Sequence, residues 1–294
     1  MIFIVIPVFN RKVFTRSCLK SLAQQTFKDF TVIIVDDGST DGTSEMIQAD
    51  FPAVHLLKGD GNLWWAGATN KGIEYVFNHL NYTDQDFILT LNNDLEVAEN
   101  YLQVLVCHAA TNSKAVIGSV SVDISNLDRM DYCGVAWNEF TGRHFLKIKA
   151  FNCSYKELVS RKQIIESDTL TGRGTLFPIR VFKEIGLYDS INFPQYAADE
   201  DFSLRARKKG WQLLIPTETY LKSHINETGA DVVNVQANYA YFKHLFFSIK
   251  SPLNLKIRYR WAMKNTKLKI LYFLMDSSKN VLSFSFKALK KALR

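Results

Sequence analysis

The first 120 residues alternate between short β-branched runs and helix-length segments, and each of three runs ends in a polar cluster. Ile2–Ile6 is uninterrupted and apolar, as a parallel strand covered on both faces must be, and Pro7 closes it before Asn10. Thr31–Val35 runs into Asp36-Asp37-Gly38-Ser39, and Phe87–Leu91 runs into Asn92-Asn93-Asp94. Between them, Val13–Gln25 and Ala66–His79 carry helical patterns, and Thr40 or Asp41 can cap a helix through Met46. Val54–Leu57 reads as a short strand, Leu95–Ala110 as largely helical, and Ala115–Val122 as one further strand. This alternation predicts an α/β chain with a doubly wound, mostly parallel sheet. In such sheets ligands bind outside the carboxyl ends of the strands, so the three clusters are expected around one crevice.

Beyond residue 122 the pattern loosens. Ile179–Gly186 and Asp199–Lys209 read as helices, Trp211–Ile215 and Tyr220–Ser223 as strands, and from about Val232 the chain turns helical and basic. Residues 240–294 hold 13 Lys/Arg and one acid, Asp276, which leaves the first 239 residues at net −5. Leu282, Phe286, Leu289 and Leu293 recur on one helical face, with Lys287, Lys290, Lys291 and Arg294 on the other. One reading is a helix lying on an anionic membrane surface; the other is a helix packed on the body with a solvated basic face. Nucleic acid is not expected, because no recognition fold accompanies the charge.

Hydrophobic residues at 47% and charged residues at 22% exclude wholesale disorder. No apolar run approaches the roughly 20 residues needed to span a bilayer. Met1 leads directly into a strand without a basic leader, and Cys18, Cys107, Cys133 and Cys153 show no CxxC pairing. Both point to a cytoplasmic chain with reduced thiols.

The turn after the first strand, Pro7-Val8-Phe9-Asn10-Arg11, has no glycine, and neither GxGxxG nor GxxxxGK[ST] occurs. Rossmann hydride transfer and P-loop phosphoryl transfer are therefore not expected. No GxSxG elbow or zinc-type His/Cys spacing is present. What remains is carboxylates and amides at strand ends. Asp94 suits a hard divalent cation, Mg2+ or Mn2+, that shares its shell with substrate phosphates.

These segments resemble family 2 glycosyltransferases, inverting enzymes of the GT-A fold. The resemblance rests on Ile4-Val5-Ile6-Pro7-Val8-Phe9-Asn10, Ser21-Leu22-Ala23-Gln24-Gln25-Thr26 and Val35-Asp36-Asp37-Gly38-Ser39-Thr40-Asp41-Gly42-Thr43, in that order. Asn92-Asn93-Asp94, Gly186-Leu187-Tyr188-Asp189 and Ala198-Asp199-Glu200-Asp201-Phe202-Ser203-Leu204-Arg205 extend it over about residues 1–225, and the Asn-Asn-Asp form is most similar to the rhamnosyltransferase-like branch. The resemblance implies a mostly parallel, Rossmann-like central sheet flanked by helices. It implies a GT-A domain over residues 1–231, with a nucleotide-sugar half (1–120) and an acceptor half (121–231), and a helical extension over 232–294.

The implied roles are these. Pro7, Val8, Asn10, Asp37, Asn62, Asn70, Asn93 and Arg173 line the nucleotide-diphosphate sugar, with Asp37 accepting the base's imide N–H. Asp94, with His224, holds the metal. Asp199 is the general base toward the acceptor, with Glu200 and Asp201 as neighbouring rivals, and Trp64, Trp65 and Asp201 border sugar or acceptor. The chain departs from the family at Asn92, where a carboxylate is usual, at Ala198, which replaces a Glu, and at Trp64, where glycine is common. Taken alone, Asp36-Asp37-Gly38-Ser39 also reads as a capped turn, and Asp199-Glu200-Asp201 as the acidic first turn of a helix. A metal-dependent transferase acting on a glycan or lipid-linked acceptor in polysaccharide or glycolipid synthesis, peripheral at the inner face of the membrane, is the expectation. A sugar-nucleotide pyrophosphorylase would want a Gly-rich basic loop after the first strand, which is missing. A non-catalytic nucleotide-sugar sensor or membrane scaffold is the remaining alternative.

Overall fold

The computed structural model describes residues 1–141, 144–224 and 239–292, with side chains through Phe286. The chain opens with β1 (Ile2–Val8), α1 (Lys12–Ala23), β2 (Phe30–Asp36), α2 (Thr43–Asp50), β3 (His55–Lys58), α3 (Trp64–His79) and β4 (Phe87–Thr90). It continues through β5 (Leu95–Val97), α4 (Tyr101–Thr111), β6 (Ala115–Ile117), β7 (Val120–Asp123), β8 (Asn126–Tyr132), β9 (Val135–Trp137), β10 (His144–Leu146), α5 (Lys147–Phe151) and α6 (Tyr155–Ser160). Then come β11 (Ile164–Glu166), β12 (Thr175–Pro178), α7 (Ile179–Ile185), α8 (Ala198–Lys208), β13 (Gln212–Pro216) and β14 (Tyr220–Ser223). The described chain ends with α9 (Tyr239–Phe247), α10 (Leu255–Asn265) and α11 (Lys269–Ala292).

The main sheet has eight strands in the order β11-β13-β6-β12-β4-β1-β2-β3. The β4-β1-β2-β3 half is parallel, while β12 and β11 run against their neighbours. Side-chain alternation along β1 divides the core. Ile2, Ile4, Ile6 and Val8 pack with α1, α2 and α4 residues, whereas Phe3 and Val5 pack toward α3, α7, α8 and α10. Residue 72 is glycine where α3 crosses β1; a Cβ there would lie 2.5 Å from Val5 Cγ1.

Two elements differ from expectation. Leu95–Val97 is a strand, paired antiparallel with β14, and the helix begins only at Tyr101. The expected strand Ala115–Val122 breaks into β6 and β7, which join different sheets. The break follows from bonding at Gly118 and Ser119. The Gly118 N–H closes onto the Leu214 carbonyl, and the buried Ser119 hydroxyl is engaged by the Gly174 carbonyl and the Tyr101 hydroxyl.

The C-terminal helices are not a detached basic appendage. Phe246, Ile257, Trp261 and Ala262 are buried in the body. Asp201 is fully buried and accepts hydrogen bonds from Arg205 Nε at 2.9 Å, Lys264 Nζ at 3.1 Å and Asn265 Nδ2 at 3.1 Å. It ties α10 to α8, so its expected role beside sugar or acceptor, and its rivalry as base, give way to a structural one. Much of the tail's charge is likewise engaged: Lys264 also pairs with Asp189, Lys267 with Glu139 and Arg258 with Asp276. By contrast α11 exposes Leu271, Met275, Leu282 and Phe286. Of the stripe expected there, the side chains of Leu289 and Leu293 lie outside the described residues, as do those of Lys287, Lys290, Lys291 and Arg294.

This packing sets an expectation for stability. Trp261→Ala should lower the free energy of unfolding by about 3–5 kcal/mol, the usual cost of truncating a buried aromatic. Leu282→Ala should change it by less than about 0.5 kcal/mol. Denaturant unfolding of both variants checks this, and equally small effects would show that α10 is not part of the core.

Candidate active site

The strand ends do meet. Pro7 and Val8 at the end of β1, Phe9 and Arg11 just beyond it, Asp37 after β2, Trp64 and Trp65 at the head of α3, and Asn92, Asn93 and Asp94 after β4 wall a cleft of about 640 Å3. That volume suits a small-molecule ligand. Gln195, Tyr196 and Lys250 complete the wall. These last three carried no sequence signal, since Gln195 and Tyr196 lie in an irregular loop and Lys250 follows α9, far along the chain.

Asp37 is buried, and its carboxylate organises the loop before α3. Oδ1 accepts from the Gly61 N–H at 2.9 Å, and Oδ2 from the N–H groups of Leu63 at 2.9 Å and Trp64 at 3.1 Å. Oδ1, with one donor, keeps acceptor capacity toward the cleft. Asn10 does not line the cleft: its amide oxygen takes the Thr40 N–H at 2.9 Å and its own N–H binds Ser39. Asn62 is exposed, with its amide turned to the Asp60 carbonyl. Asn70 is engaged at both ends by the Tyr188 backbone, at 2.9 and 3.0 Å, so it pins α3 to the 188 loop instead of contacting a donor. Asn93 does border the cleft, but its Nδ2 is held by Thr15 Oγ1 at 2.9 Å.

Asp94 has the least satisfied carboxylate of the set. Oδ2 takes Arg11 Nη1 at 2.8 Å, while Oδ1 is buried with no hydrogen-bond partner. A bare carboxylate oxygen in a cleft wall fits a hard cation. Among the described residues no three His, Cys, Asp or Glu side chains converge. A cation here would therefore draw most of its ligands from substrate and water. His224 follows β14 and stands edge-on to the Phe14 ring in the first turn of α1, at 4.9 Å. Arg173 is not a cleft wall; its Nη2 reaches Ser223 Oγ at 2.5 Å and Asp131 Oδ2 at 3.4 Å, tying β14 to β8.

Trp65 links the two halves of the site. Its Nε1 donates to Asn92 Oδ1 at 2.9 Å, which gives the asparagine at the departing family position a structural use. Its ring lies on Gly172, where a Cβ would come within 2.1 Å of Cζ2. The Gly172 N–H in turn donates to Asp199 Oδ2 at 2.8 Å. Asp199 stands in the first turn of α8, and its other oxygen accepts the Glu200 N–H at 3.0 Å. Its side chain keeps some access to solvent, yet desolvation and the adjacent Glu200 carboxylate push its pKa up to about 6. Glu200 is paired with His144 Nδ1 at 3.3 Å. Arg11 escaped the sequence reading as a site residue, although it directly follows the first strand-end cluster.

Comparison with known proteins places this geometry. The family model for glycosyl transferase family 2 matches residues 3–168. The GalNAc(5)-diNAcBac-PP-undecaprenol beta-1,3-glucosyltransferase of Campylobacter jejuni is 24% identical over 91% of this chain and 88% of its own. The N-acetylglucosaminyl-diphospho-decaprenol L-rhamnosyltransferase of Mycobacterium tuberculosis is 22% identical, with 88% of each chain covered. GalNAc-T7 with UDP, GalNAc and Mn2+ superposes on 95% of this chain with a TM-score of 0.59 and 15% identity. The mannosyltransferase PcManGT from Pyrobaculum calidifontis, in complex with GDP-Man and Mn2+, does so over 90% with a TM-score of 0.55 and 13% identity. This chain spans 55% and 61% of the length of those two structures, and the likeness to them is one of fold. A family match across more than half of the chain, on a GT-A sheet with its acids at the strand ends, makes this protein a member of glycosyl transferase family 2.

Proposed function

We propose that the protein moves a sugar, with inversion, from a nucleotide-diphosphate sugar to a hydroxyl of a lipid-linked glycan, as a step in cell-surface polysaccharide or glycolipid synthesis. The observation that carries this reading is the continuous path from Asp94 and Trp65 in the cleft, through Gly172, to Asp199. Support for the acceptor class comes from two relatives whose names contain a diphosphate-linked polyprenol.

In this reading Pro7, Val8 and Asp37 line the nucleotide, and Asp37 Oδ1 accepts an imide N–H from the base. Asp199 removes the proton of the acceptor hydroxyl as that oxygen bonds to the anomeric carbon. Attack comes from the face opposite the diphosphate, and the carbon–oxygen bond to the diphosphate breaks with its electron pair on the leaving oxygen, which inverts the centre. A base with a pKa near 6 is ionised at neutral pH and still basic enough to take the proton. Asp94, with His224 as a second candidate, would hold Mg2+ or Mn2+; such an ion supplies positive charge that stabilises the departing diphosphate. Trp64 and Trp65 offer flat apolar walls for a sugar face.

The α11 surface supports work at the cytoplasmic face of an anionic membrane. Leu271, Met275, Leu282 and Phe286 follow a helical spacing and are all exposed, and Lys269 and Lys279 are exposed on the same helix. No described helix is long and apolar enough to cross a membrane, so the contact would be made along the helix.

Two outcomes are expected. Asp199→Asn should keep donor binding and lower kcat by about 10²–10⁴-fold, and wild-type kcat/KM should fall about tenfold per pH unit below about 6, as Asp199 takes up its proton. Release of free nucleoside diphosphate across pH measures both; near-normal turnover by the variant would move the base elsewhere, and no release by wild type would favour a non-catalytic binding protein. Leu282→Glu combined with Phe286→Glu should weaken adsorption to phosphatidylglycerol vesicles by at least about tenfold at low salt without lowering thermal stability. Co-sedimentation at low and high salt reads this, and wild-type protein that stays in the supernatant would sink the membrane reading.

A further inference from the structure

Arg11 holds Asp94, a cleft carboxylate with one oxygen left without a hydrogen-bond partner. Its Nη1 lies 2.8 Å from Asp94 Oδ2, and the Asp94 side chain is nine-tenths buried with Oδ1 unpartnered. The guanidinium is not buried with it; the Arg11 side chain is 45% exposed and borders the cleft. Its backbone is also unusual. Asn10 and Arg11 are consecutive left-handed residues, at φ 58° and 64°, where bulky L-residues seldom sit. That geometry aims Arg11 back across the strand end instead of along α1. The first α1 turn is held separately, by the Lys12 N–H on Asp41 Oδ2 at 2.9 Å. The side chain can therefore leave Asp94 without unravelling the helix start.

We propose that Arg11 and a divalent cation are alternative partners of Asp94, and that Arg11 transfers to the donor diphosphate when the cation takes its place. This rests on the reading of Asp94 as a metal ligand. The charge argument is simple. One carboxylate cannot neutralise both a guanidinium and a divalent ion, so without donor the two compete. A nucleoside diphosphate brings enough negative charge to accommodate both, and a guanidinium suits phosphate oxygens as well as carboxylate ones. Metal and donor then bind cooperatively, with Arg11 as the coupling element, and by linkage each raises the other's affinity by the same factor. The arrangement also gives the single-carboxylate motif a function: Asp94 stays neutralised in the empty cleft and becomes available when the donor arrives.

The test is uptake of Mn2+ followed by loss of the paramagnetic resonance signal of the free aqueous ion. Wild type, Arg11→Met, Arg11→Lys and Asp94→Asn are titrated alone and with saturating uridine, thymidine or guanosine diphosphate, and calorimetry reports diphosphate affinity. Arg11→Met should bind Mn2+ alone about tenfold tighter than wild type, bind the diphosphate more weakly, and lose most of the gain in Mn2+ affinity that the diphosphate gives wild type. Arg11→Lys, which keeps the charge, should fall between the two. Asp94→Asn should take up little Mn2+ under either condition. If Arg11→Met and wild type bind Mn2+ alone equally while Asp94→Asn does not bind it, exchange at Asp94 is overturned and the metal reading stands. If no variant takes up Mn2+ with any diphosphate, or Asp94→Asn binds it like wild type, the metal reading of Asp94 falls and the exchange falls with it.

Discussion

The site depends on where the Trp65 indole is held. Three constraints fix it: a hydrogen bond from Nε1 to Asn92, an edge-on contact with Tyr188 at 5.3 Å, and close approach to Gly172. Each constraint comes from a different part of the chain, so the ring joins the end of β4, the 188 loop and the segment before β12. The Tyr188 side is itself anchored by Asn70, five residues beyond Trp65 on α3. With the ring in place, the Gly172 N–H is directed to Asp199. Any side chain at 172 would displace the indole and loosen the hold on Asp199. A cluster of aromatic packing on the same side of the sheet, including Phe177, Phe182, Tyr188 and Phe202, supports this region.

Three carboxylates face related problems at this site and meet them differently. Asp37 has three backbone donors and serves as fixed framework. Asp94 has one half-exposed cation and one oxygen without a hydrogen-bond partner, which suits it to the proposed exchange. Asp199 has two backbone donors, but desolvation and a like-charged neighbour outweigh them and leave it poised to take a proton. In the proposed reaction these differences suit Asp37 to base recognition, Asp94 to a cation on the leaving group and Asp199 to general-base catalysis. The division follows from the number and kind of donors around each group, with no change in the residue type.

How much of this was legible follows from the range of the interactions. The strand-end clusters were readable because strand periodicity is local and a doubly wound sheet brings strand ends together by topology. Of the residues read as site candidates, Pro7, Val8, Asp37, Asn93 and Asp94 border the cleft at strand ends, where the sheet topology places them, and Trp64 and Trp65 border it from the head of α3. Asn10, Asn70, Arg173 and Asp201 lie off the cleft wall for a common reason: a polar side chain's partner is chosen by contacts that spacing does not reveal, whereas Asn62 is turned to Asp60, two residues away. Asn70 meets Tyr188, and Asp201 meets Lys264 and Asn265, both across long stretches of chain. The break between β6 and β7 was hidden in the same way, because the groups that turn Ser119 out of the strand lie at Tyr101 and Gly174.

The C-terminal helices show why composition alone could not separate core from surface there. Helix α10 and helix α11 both interleave bases with aromatic and aliphatic residues, yet Trp261 is buried and Phe286 is open. The difference lies in the partners. The bases of α10 meet acids and carbonyls of the body, as Lys264 does at Asp189 and Asp201 and Arg260 does at the Ile191 carbonyl, so its apolar face is drawn into the core with its charges satisfied. Helix α11 has one acid of its own, Asp276, paired with Arg258 on α10, and this fixes only its inner face. Its outer face keeps Leu271, Met275, Leu282 and Phe286 exposed. Lys250, between α9 and α10, borders the cleft itself. The same stretch of chain thus bears on the cleft at one end and presents an apolar helix face at the other, so that a surface engaged by α11 would be connected to the cleft through packed core.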